Sequence, residues 1–213
     1  MTEQERMKAG YIWLDDAENM ALQEKARGLV NKFNSLPPEA MEERMAMNQE
    51  LFGSCGKNVW IVPPMKLMIG KYISIGEGCY FNGGTTFIDD WKIEIGRECL
   101  FGPNVTLCTT GHPISPAHRM DGMYSFPIKI GNRCWIGANS IIMPGVTIGD
   151  NSVIGAGSVV TKDIPENVVA FGSPCHVYRK IDERDDVYYF RDRRFDEQPE
   201  RTDPAPKLDF MED

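Results

Sequence analysis

The chain has 213 residues and is acidic, with 31 Asp and Glu residues against 23 Lys and Arg residues. It carries no basic stripe, which argues against a nucleic-acid-binding protein, and no apolar run approaches the ~20 residues of a membrane span. The first residues lack the apolar core of a signal peptide, so we expect a cytoplasmic protein.

The N-terminal part predicts helices. Residues 17–33 carry apolar side chains roughly on one face, and residues 39–52 form a second helical stretch after Pro37 and Pro38. We interpret residues 1–55 as a cap over the open end of the repeat that follows, because a stacked fold otherwise exposes apolar surface and strand edges there.

A six-residue repeat dominates residues 56–165. An aliphatic residue followed by Gly recurs, and in the second half the aliphatic members are each six apart: Ile130, Ile136, Ile142, Ile148, Ile154 and Val160. This period fits neither an amphipathic helix nor a half-buried strand, and it is typical of a parallel β-helix in which three hexapeptides make one triangular coil. The Gly lets the chain turn or pack closely. We therefore predict a mainly β chain, with a single domain overall.

The repeat breaks first where Phe87 and Ile95 are eight residues apart. This longer spacing predicts that the residues between them, Asp89, Asp90 and Trp91, bulge out of the coil.

A long insertion then separates two coils, at residues 108–128. It is too long for a turn and too rich in Pro and Gly for a helix, and insertions in repeat folds often build the binding face. Residues 166–213 leave the repeat and form a C-terminal extension, in which we expect aromatic side chains to pack and residues 203–213 to be mobile.

Six cysteines raise the question of disulfides or a metal. Cys79, Cys99 and Cys134 share the fifth position of the repeat with small residues, so we interpret them as core fillers. The other three are isolated and no CxxC pair occurs, which favours reduced structural thiols over a metal or redox site.

Of the three histidines, His112 is the candidate for chemistry. It lies where the repeat breaks and the insertion begins, and Gly111 and Pro113 fix the backbone on both sides of it. We interpret His118 as a solvated loop residue, and His176 lies in the C-terminal extension. A catalytic zinc site on this scaffold needs three histidines in successive coils, so a metal-dependent hydrolyase is poorly supported and we expect no metal.

Several motifs together identify a family. They are YFNGG at 80–84, IDD at 88–90, TGHP at 110–113, YSFP at 124–127, PGVTIG at 144–149 and GAGSVVTKDIP at 155–165. With these motifs the chain resembles the maltose/galactoside O-acetyltransferases, which are hexapeptide-repeat acyltransferases with a left-handed parallel β-helix. The resemblance covers roughly residues 5–190.

The resemblance implies acetyl transfer from acetyl-CoA to a hydroxyl of a sugar of the galactoside, maltose or glucose type, by direct attack without an acyl-enzyme. His112 matches the general base of the family, and an imidazole is suited to taking a proton at neutral pH. Asn82 matches the residue that stabilises the oxyanion and contacts the acceptor.

The resemblance also implies the binding residues. Acceptor contacts match Asp15, Asn82, Asp90 and Met123. Contacts with acetyl-CoA match Ala138, Ala156, Thr161, Lys162, Arg179 and His176, and Trp135 could flank the cofactor. Met68 aligns where the galactoside enzymes of the family have a Ser, so a thioether replaces a hydroxyl.

The family forms homotrimers with active sites between subunits, and we expect the same assembly here. Two alternatives stay open: an acetyltransferase of the same fold that acts on an amine or an antibiotic, and a non-catalytic coil. A panel of acceptors would separate the first from a sugar enzyme, and a test for acetyl-CoA binding would separate the second.

Overall fold

The computed structural model describes residues 1–199, so the expectation of a mobile segment at 203–213 lies outside the described residues. The helices are α1 (Glu3–Lys8), α2 (Ala17–Ser35), α3 (Met41–Leu51) and α4 (Glu183–Val187). Helix α2 begins after Asp16, whose carboxylate accepts a hydrogen bond of 2.9 Å from the N–H of Asn19 and so caps the helix. The two predicted N-terminal helices are confirmed. None of the helices in residues 1–199 combines the length and apolar character that crossing a bilayer requires.

The strands form five coils and part of a sixth. The first three coils contain β1 (Ser54–Cys55), β2 (Trp60–Ile61), β3 (Lys66–Leu67), β4 (Ile73–Ile75), β5 (Tyr80–Phe81), β6 (Thr86–Ile88), β7 (Ile93–Ile95), β8 (Leu100–Phe101) and β9 (Thr106–Cys108). A protruding hairpin follows, made of β10 (Thr110–Gly111) and β11 (Tyr124–Ser125). The next two coils contain β12 (Ile128–Ile130), β13 (Trp135–Ile136), β14 (Ile141–Ile142), β15 (Thr147–Ile148), β16 (Val153–Ile154) and β17 (Val159–Val160). The last strands of the described residues are β18 (Val168–Gly172), β19 (Cys175–Lys180), β20 (Tyr188–Phe190) and β21 (Arg193–Arg194).

Equivalent strands of successive coils pair in parallel and give three sheets. Sheet 1 is β1-β4-β7-β12-β15, sheet 2 is β2-β5-β8-β13-β16-β18 with β19 antiparallel at its edge, and sheet 3 is β3-β6-β9-β14-β17. The parallel β-helix that the six-residue repeat predicts is confirmed. Its first strand begins at Ser54 and β18 pairs with β16 beyond residue 165, so the coils extend slightly past both predicted limits.

Inward-pointing side chains stack along the axis of the β-helix. In sheet 2 the column includes Phe81 and Phe101, whose rings stack with centroids 4.3 Å apart, followed by Ile136 and Ile154. All four are almost fully buried. Each such side chain contributes roughly 1.5–3 kcal/mol of hydrophobic stabilisation, so the repeat is mainly a device for building this core.

The Gly that follows each aliphatic residue is required for close packing between coils. A Cβ on Gly76 would lie 2.6 Å from the backbone N of Arg97, and one on Gly137 would lie 2.5 Å from the N of Ala156. Neither glycine has a positive φ. At these positions glycine is therefore needed for close packing between coils and not for a turn of the chain.

The prediction that residues 89–91 bulge out is wrong, because Asp89, Asp90 and Trp91 are all buried. The Asp89 carboxylate accepts hydrogen bonds from three consecutive backbone N–H groups, those of Met68, Ile69 and Gly70, at 2.8, 3.2 and 2.5 Å. The extra residues therefore fold back onto the coil below instead of projecting into solvent.

The buried fifth-position residues agree with the sequence. Cys79, Cys99 and Cys134 are buried and reduced, and their thiols donate to the backbone oxygens of Gly96, Gly131 and Gly149 in the neighbouring coil. They are core residues, as predicted.

Candidate functional site

His112 lies just after β10, at the base of the protruding hairpin. Its Nδ1 is 3.2 Å from the carbonyl oxygen of Gly122 and 3.3 Å from that of Arg119. Because carbonyl oxygens only accept hydrogen bonds, Nδ1 must carry the proton, and the lone pair of the neutral ring is then on Nε2. The side chain is exposed, so this basic nitrogen is available to a bound molecule.

The hairpin that carries His112 depends on Gly111. This residue pairs with Tyr124 across the two strands, and a Cβ on Gly111 would lie 2.5 Å from the Tyr124 hydroxyl oxygen. Glycine at this position therefore allows the Tyr124 side chain to pack across the base of the hairpin, which fixes the backbone next to the imidazole.

Asp90 is buried two residues after β6, and a chain of hydrogen bonds lies beside it. The indole N–H of Trp13 donates to the Ser125 hydroxyl at 3.1 Å, and the Ser125 and Thr110 hydroxyls are 2.7 Å apart. The Thr110 hydroxyl also interacts with the Asp90 carboxyl and lowers its pKa. Because the indole N–H only donates, the Ser125 oxygen accepts from Trp13, which leaves the Ser125 hydroxyl proton available for Thr110.

The pKa of Asp90 is raised above its ordinary value. Burial is the main cause, the hydrogen bond from Thr110 opposes it, and the negative charge of Asp15 adds to it. The last effect means that the carboxyl groups of Asp15 and Asp90 lie within electrostatic reach of each other.

The other predicted acceptor residues lie around the same corner of the β-helix. Met123 exchanges two backbone hydrogen bonds of 2.9 Å with Trp13, which joins the hairpin to the N-terminal segment. Asp15 follows Trp13 by two residues and is exposed. Met68 is partly exposed, and Asp89 anchors its backbone next to Asp90. We call this cluster of Asp15, Met68, Asp90, His112 and Met123 the acceptor corner.

Asn82 lies at a different corner of the coil. It follows β5, at the junction of sheets 2 and 3, whereas the acceptor corner follows sheet 3. The length of one coil face separates Asn82 from Asp90, roughly 15–20 Å of extended backbone. The Asn82 side-chain oxygen accepts from the N–H of Gly83 at 2.8 Å, and its Nδ2 makes no hydrogen bond within the described residues. That nitrogen is a free donor on a half-buried side chain.

Two of the predicted cofactor residues lie at the same corner as Asn82 in later coils. Ala138 and Ala156 occupy the equivalent corner in the fourth and fifth coils, and the N–H of Gly157 donates to the Ala138 carbonyl at 2.8 Å. Small side chains leave this corner smooth, which suits a long flexible molecule lying along the coils. Trp135 stands beside it on β13 and is 54% exposed.

The remaining cofactor candidates are dispersed. Thr161 and Lys162 follow β17 at the corner above Asp90 and are exposed, and His176 is exposed on β19. Arg179, also on β19, makes two hydrogen bonds of 2.6 Å to Asp185. A phosphate group would have to compete with that carboxylate for the guanidinium.

Residues 1–199 contain no group of three or more His, Cys, Asp and Glu side chains arranged to hold a metal ion. His118 is exposed and bonds Asp121 at 2.7 Å in the outer part of the hairpin loop.

The sequence analysis gave no role in the site to four residues that the structure places there: Trp13, Asp89, Thr110 and Ser125. Trp13 and Ser125 are 112 positions apart, so only the fold brings them together. The TGHP and YSFP motifs contain Thr110 and Ser125 and were the available signal.

The chain is similar in sequence to known families and proteins. Family models match residues 6–56, as the maltose acetyltransferase hexapeptide capping motif, and residues 127–162, as the hexapeptide repeat of succinyl-transferase. Galactoside O-acetyltransferase of Escherichia coli (strain K12) is 49% identical over 191 residues, which cover 88% of this chain and 94% of that protein. The protein of the same name in Lactococcus lactis is 44% identical over 176 residues, or 82% of this chain and 85% of that protein.

Solved structures give the same result. A galactoside acetyltransferase in complex with coenzyme A is similar with a TM-score of 0.89 and 47% identity, covering 91% of this chain and 98% of that chain. A maltose O-acetyltransferase from Clostridium difficile 630 has a TM-score of 0.83 and 43% identity, covering 86% and 99%. An acetyltransferase from Vibrio cholerae complexed with acetyl coenzyme A has a TM-score of 0.79 and 34% identity, covering 86% and 100%.

Proposed function

The chain belongs to the maltose and galactoside O-acetyltransferase family, and from that premise we propose that it transfers the acetyl group of acetyl-CoA to a hydroxyl of a small sugar. The observation that carries the proposal is the fixed tautomer of His112, because it leaves a basic nitrogen at the mouth of a corner lined by buried and exposed carboxylates. Such a nitrogen is what an alcohol needs to become a nucleophile.

In this mechanism Nε2 of His112 takes the proton of the acceptor hydroxyl as its oxygen attacks the acetyl carbonyl. Bound acetyl-CoA supplies the acetyl group as a thioester. The imidazolium keeps its Nδ1–H on the Gly122 carbonyl and returns the other proton to the departing thiolate, so the base is regenerated. General acid–base catalysis of this kind contributes typically 10²–10⁴-fold to a rate.

Asn82 stabilises the negative charge that develops on the carbonyl oxygen. Its free Nδ2 donor is suited to that role, and removing one such donor costs on the order of 10²–10³ in rate. Because Asn82 lies at one corner of the second coil and His112 at a different corner, after the third coil, we propose that a site forms where the acceptor corner of one copy faces the Asn82 corner of another. A cyclic homotrimer supplies three such contacts.

Acetyl-CoA fits the smooth corner that Asn82, Ala138 and Ala156 form. The pantetheine arm would lie along the small residues, with Trp135 beside it. Thr161, Lys162, His176 and Arg179 would contact the cofactor from the last coils, with the Arg179–Asp185 pair opening to reach a phosphate.

The acceptor corner favours a polyol. Asp15 and Asp90 provide oxygens that accept hydrogen bonds from sugar hydroxyls, and Met123 provides an apolar wall. Met68 supports the second candidate, an acceptor with an apolar or amino group in place of one hydroxyl, because its partly exposed thioether cannot hydrogen-bond a hydroxyl strongly. Galactosides, maltose, glucose and amines assayed side by side for CoA release would decide between them.

The test of the base uses a matched pair of histidines. We expect His112→Ala to abolish acetyl transfer while acetyl-CoA still binds, and His118→Ala, which changes an exposed His in the same loop, to stay close to wild type. Calorimetry with CoA provides the binding measurement. Full activity in His112→Ala would disprove the mechanism. Cytoplasmic location stays a prediction, to be checked by cell fractionation.

A further inference from the structure

An exposed aromatic ring lies at the base of the protruding hairpin. Phe126 directly follows β11 and is 42% exposed. Its backbone is fixed, because its N–H donates to the Thr109 carbonyl at 2.9 Å. The ring of Tyr124 lies beside it, with the two centroids 5.8 Å apart. Phe126 takes no part in the mechanism proposed above, yet it offers a rigidly placed apolar surface to a bound molecule.

Two glycines lie against this ring. A Cβ on Gly145 would be 3.4 Å from the Phe126 Cβ, and one on Gly10 would be 3.5 Å from its Cε1. Gly145 and Gly10 have φ values of +82° and +75°, which strain residues with a side chain. Glycine is therefore favoured at both positions, and neither of them carries a side chain that could cover the ring.

The ring lies between two levels of the β-helix that the proposed reaction uses. His112 follows the third coil, and Lys162 follows the sheet-3 strand of the fifth coil. Phe126 bonds Thr109 at the end of the third coil and packs on Gly145 at the same corner of the fourth. Successive coils are about 4.8 Å apart. A molecule that extends from Lys162 to His112 along this corner therefore passes Phe126.

We propose that the exposed ring of Phe126 binds the pantetheine arm of acetyl-CoA and so holds the thioester beside His112. This inference rests on the proposed function, in which Lys162 contacts a phosphate and the thioester reaches His112. The arm joins those two groups, and its paired methyl groups and methylenes supply apolar surface that the ring can bury. Trp135 of the facing copy is exposed beside the same path, so the arm lies between two aromatic side chains.

Calorimetry on the whole protein separates the arm from the nucleotide. CoA and adenosine 3′,5′-bisphosphate, which contains the nucleotide of CoA but no arm, are titrated into wild type and Phe126→Ala. The variant should bind CoA about five- to thirtyfold more weakly, because the contact with the arm is lost, and should bind the bisphosphate like wild type. Phe126→Tyr keeps the ring and should stay within about twofold of wild type for CoA. Phe190→Ala removes a similarly exposed ring on β20 and should change neither affinity.

Steady-state kinetics provides a second measurement. Phe126→Ala should raise the KM of acetyl-CoA several-fold and leave the KM of the acceptor within about twofold. The proposal would be overturned by unchanged affinity for CoA, by an equal loss of affinity for the bisphosphate, or by a rise confined to the KM of the acceptor. Dissociation of the Phe126→Ala assembly in light scattering would also contradict it, since the ring would then pack between copies. Absence of CoA binding by wild type is a separate result, because it would refute the proposed function itself.

Discussion

The hydrogen-bond chain behind Asp90 makes a sharp prediction for Ser125→Ala. Within residues 1–199, the Ser125 hydroxyl is the acceptor of the Trp13 indole N–H, and Trp13 is only 1% exposed. The substitution removes this acceptor and also one partner of the Thr110 hydroxyl. A buried donor left without a partner costs about 1–3 kcal/mol. For a chain of this size we therefore expect the unfolding midpoint to fall by about 2–12 °C.

The same substitution should weaken acceptor binding more than it slows acetyl transfer. Thr110 keeps its bond to Asp90 but loses the neighbour that orients its hydroxyl, so Asp90 is held less firmly. A loss of ~1 kcal/mol in acceptor binding is about a fivefold rise in the KM of the acceptor, whereas kcat and the KM of acetyl-CoA should change little because His112 is anchored separately.

The assay compares Ser125→Ala with Ser115→Ala, which is the same change at an exposed serine of the same loop. Thermal unfolding and steady-state kinetics with varied acceptor are measured on both. If the two variants unfold at the same temperature and share the wild-type KM, the hydrogen-bond chain neither stabilises the hairpin nor positions Asp90, and the reasoning is refuted.

Three further predictions concern packing, the cofactor and pH. Gly137→Ala should destabilise the fold by about 1–3 kcal/mol, because the added Cβ would clash with the backbone of the next coil. Gly28→Ala, at a position on α2 where the added Cβ meets no other atom, should stabilise the fold by about 0.5–1 kcal/mol. Chemical denaturation measures both changes. Asp185→Asn frees Arg179 and should lower the KM of acetyl-CoA; an unchanged or higher KM would remove Arg179 from the cofactor site. Burial raises the pKa of Asp89 from 3.8 to about 6 despite its three backbone donors. The native chain therefore holds this proton more tightly than the unfolded chain, and the stability from this group is fully present below about pH 4 and lost as pH rises through 6. The free energy of unfolding is measured for wild type and Asp89→Asn at about pH 5 and pH 7. Compared with the variant, wild type should be more stable at pH 5 than at pH 7 by about 1.4 kcal/mol. A difference between the two proteins that is the same at both pH values would contradict this prediction.

The sequence predicts the coil well because each repeat determines its own inward positions. A residue such as Ile136 is in register with its equivalents one coil away, Phe101 and Ile154, so the local period identifies the positions that point into the core. Cys79 and its equivalents were assigned to the core on the same basis.

The site is less predictable because it is built where the repeat stops. The spacing of eight residues around Asp89 indicates that the chain leaves the repeat there, but it does not show whether these residues turn outward or inward. They turn inward because the Asp89 carboxylate accepts hydrogen bonds from the backbone N–H groups of residues 68–70. The contact of Trp13 with Ser125 links parts of the chain that no periodic pattern relates. These two features decide how Asp90 is buried, so its environment had to come from the structure.

Subunit complementation tests the central claim most directly. His112→Ala and Asn82→Ala chains are each expected to be inactive; they are then unfolded together in equal amounts, refolded and assayed for acetyl transfer. If each site takes His112 from one copy and Asn82 from its neighbour, random mixing restores about one quarter of the wild-type sites. Recovery of about that activity is the predicted result. No recovery from mixed assemblies that form normally would contradict a site shared between copies.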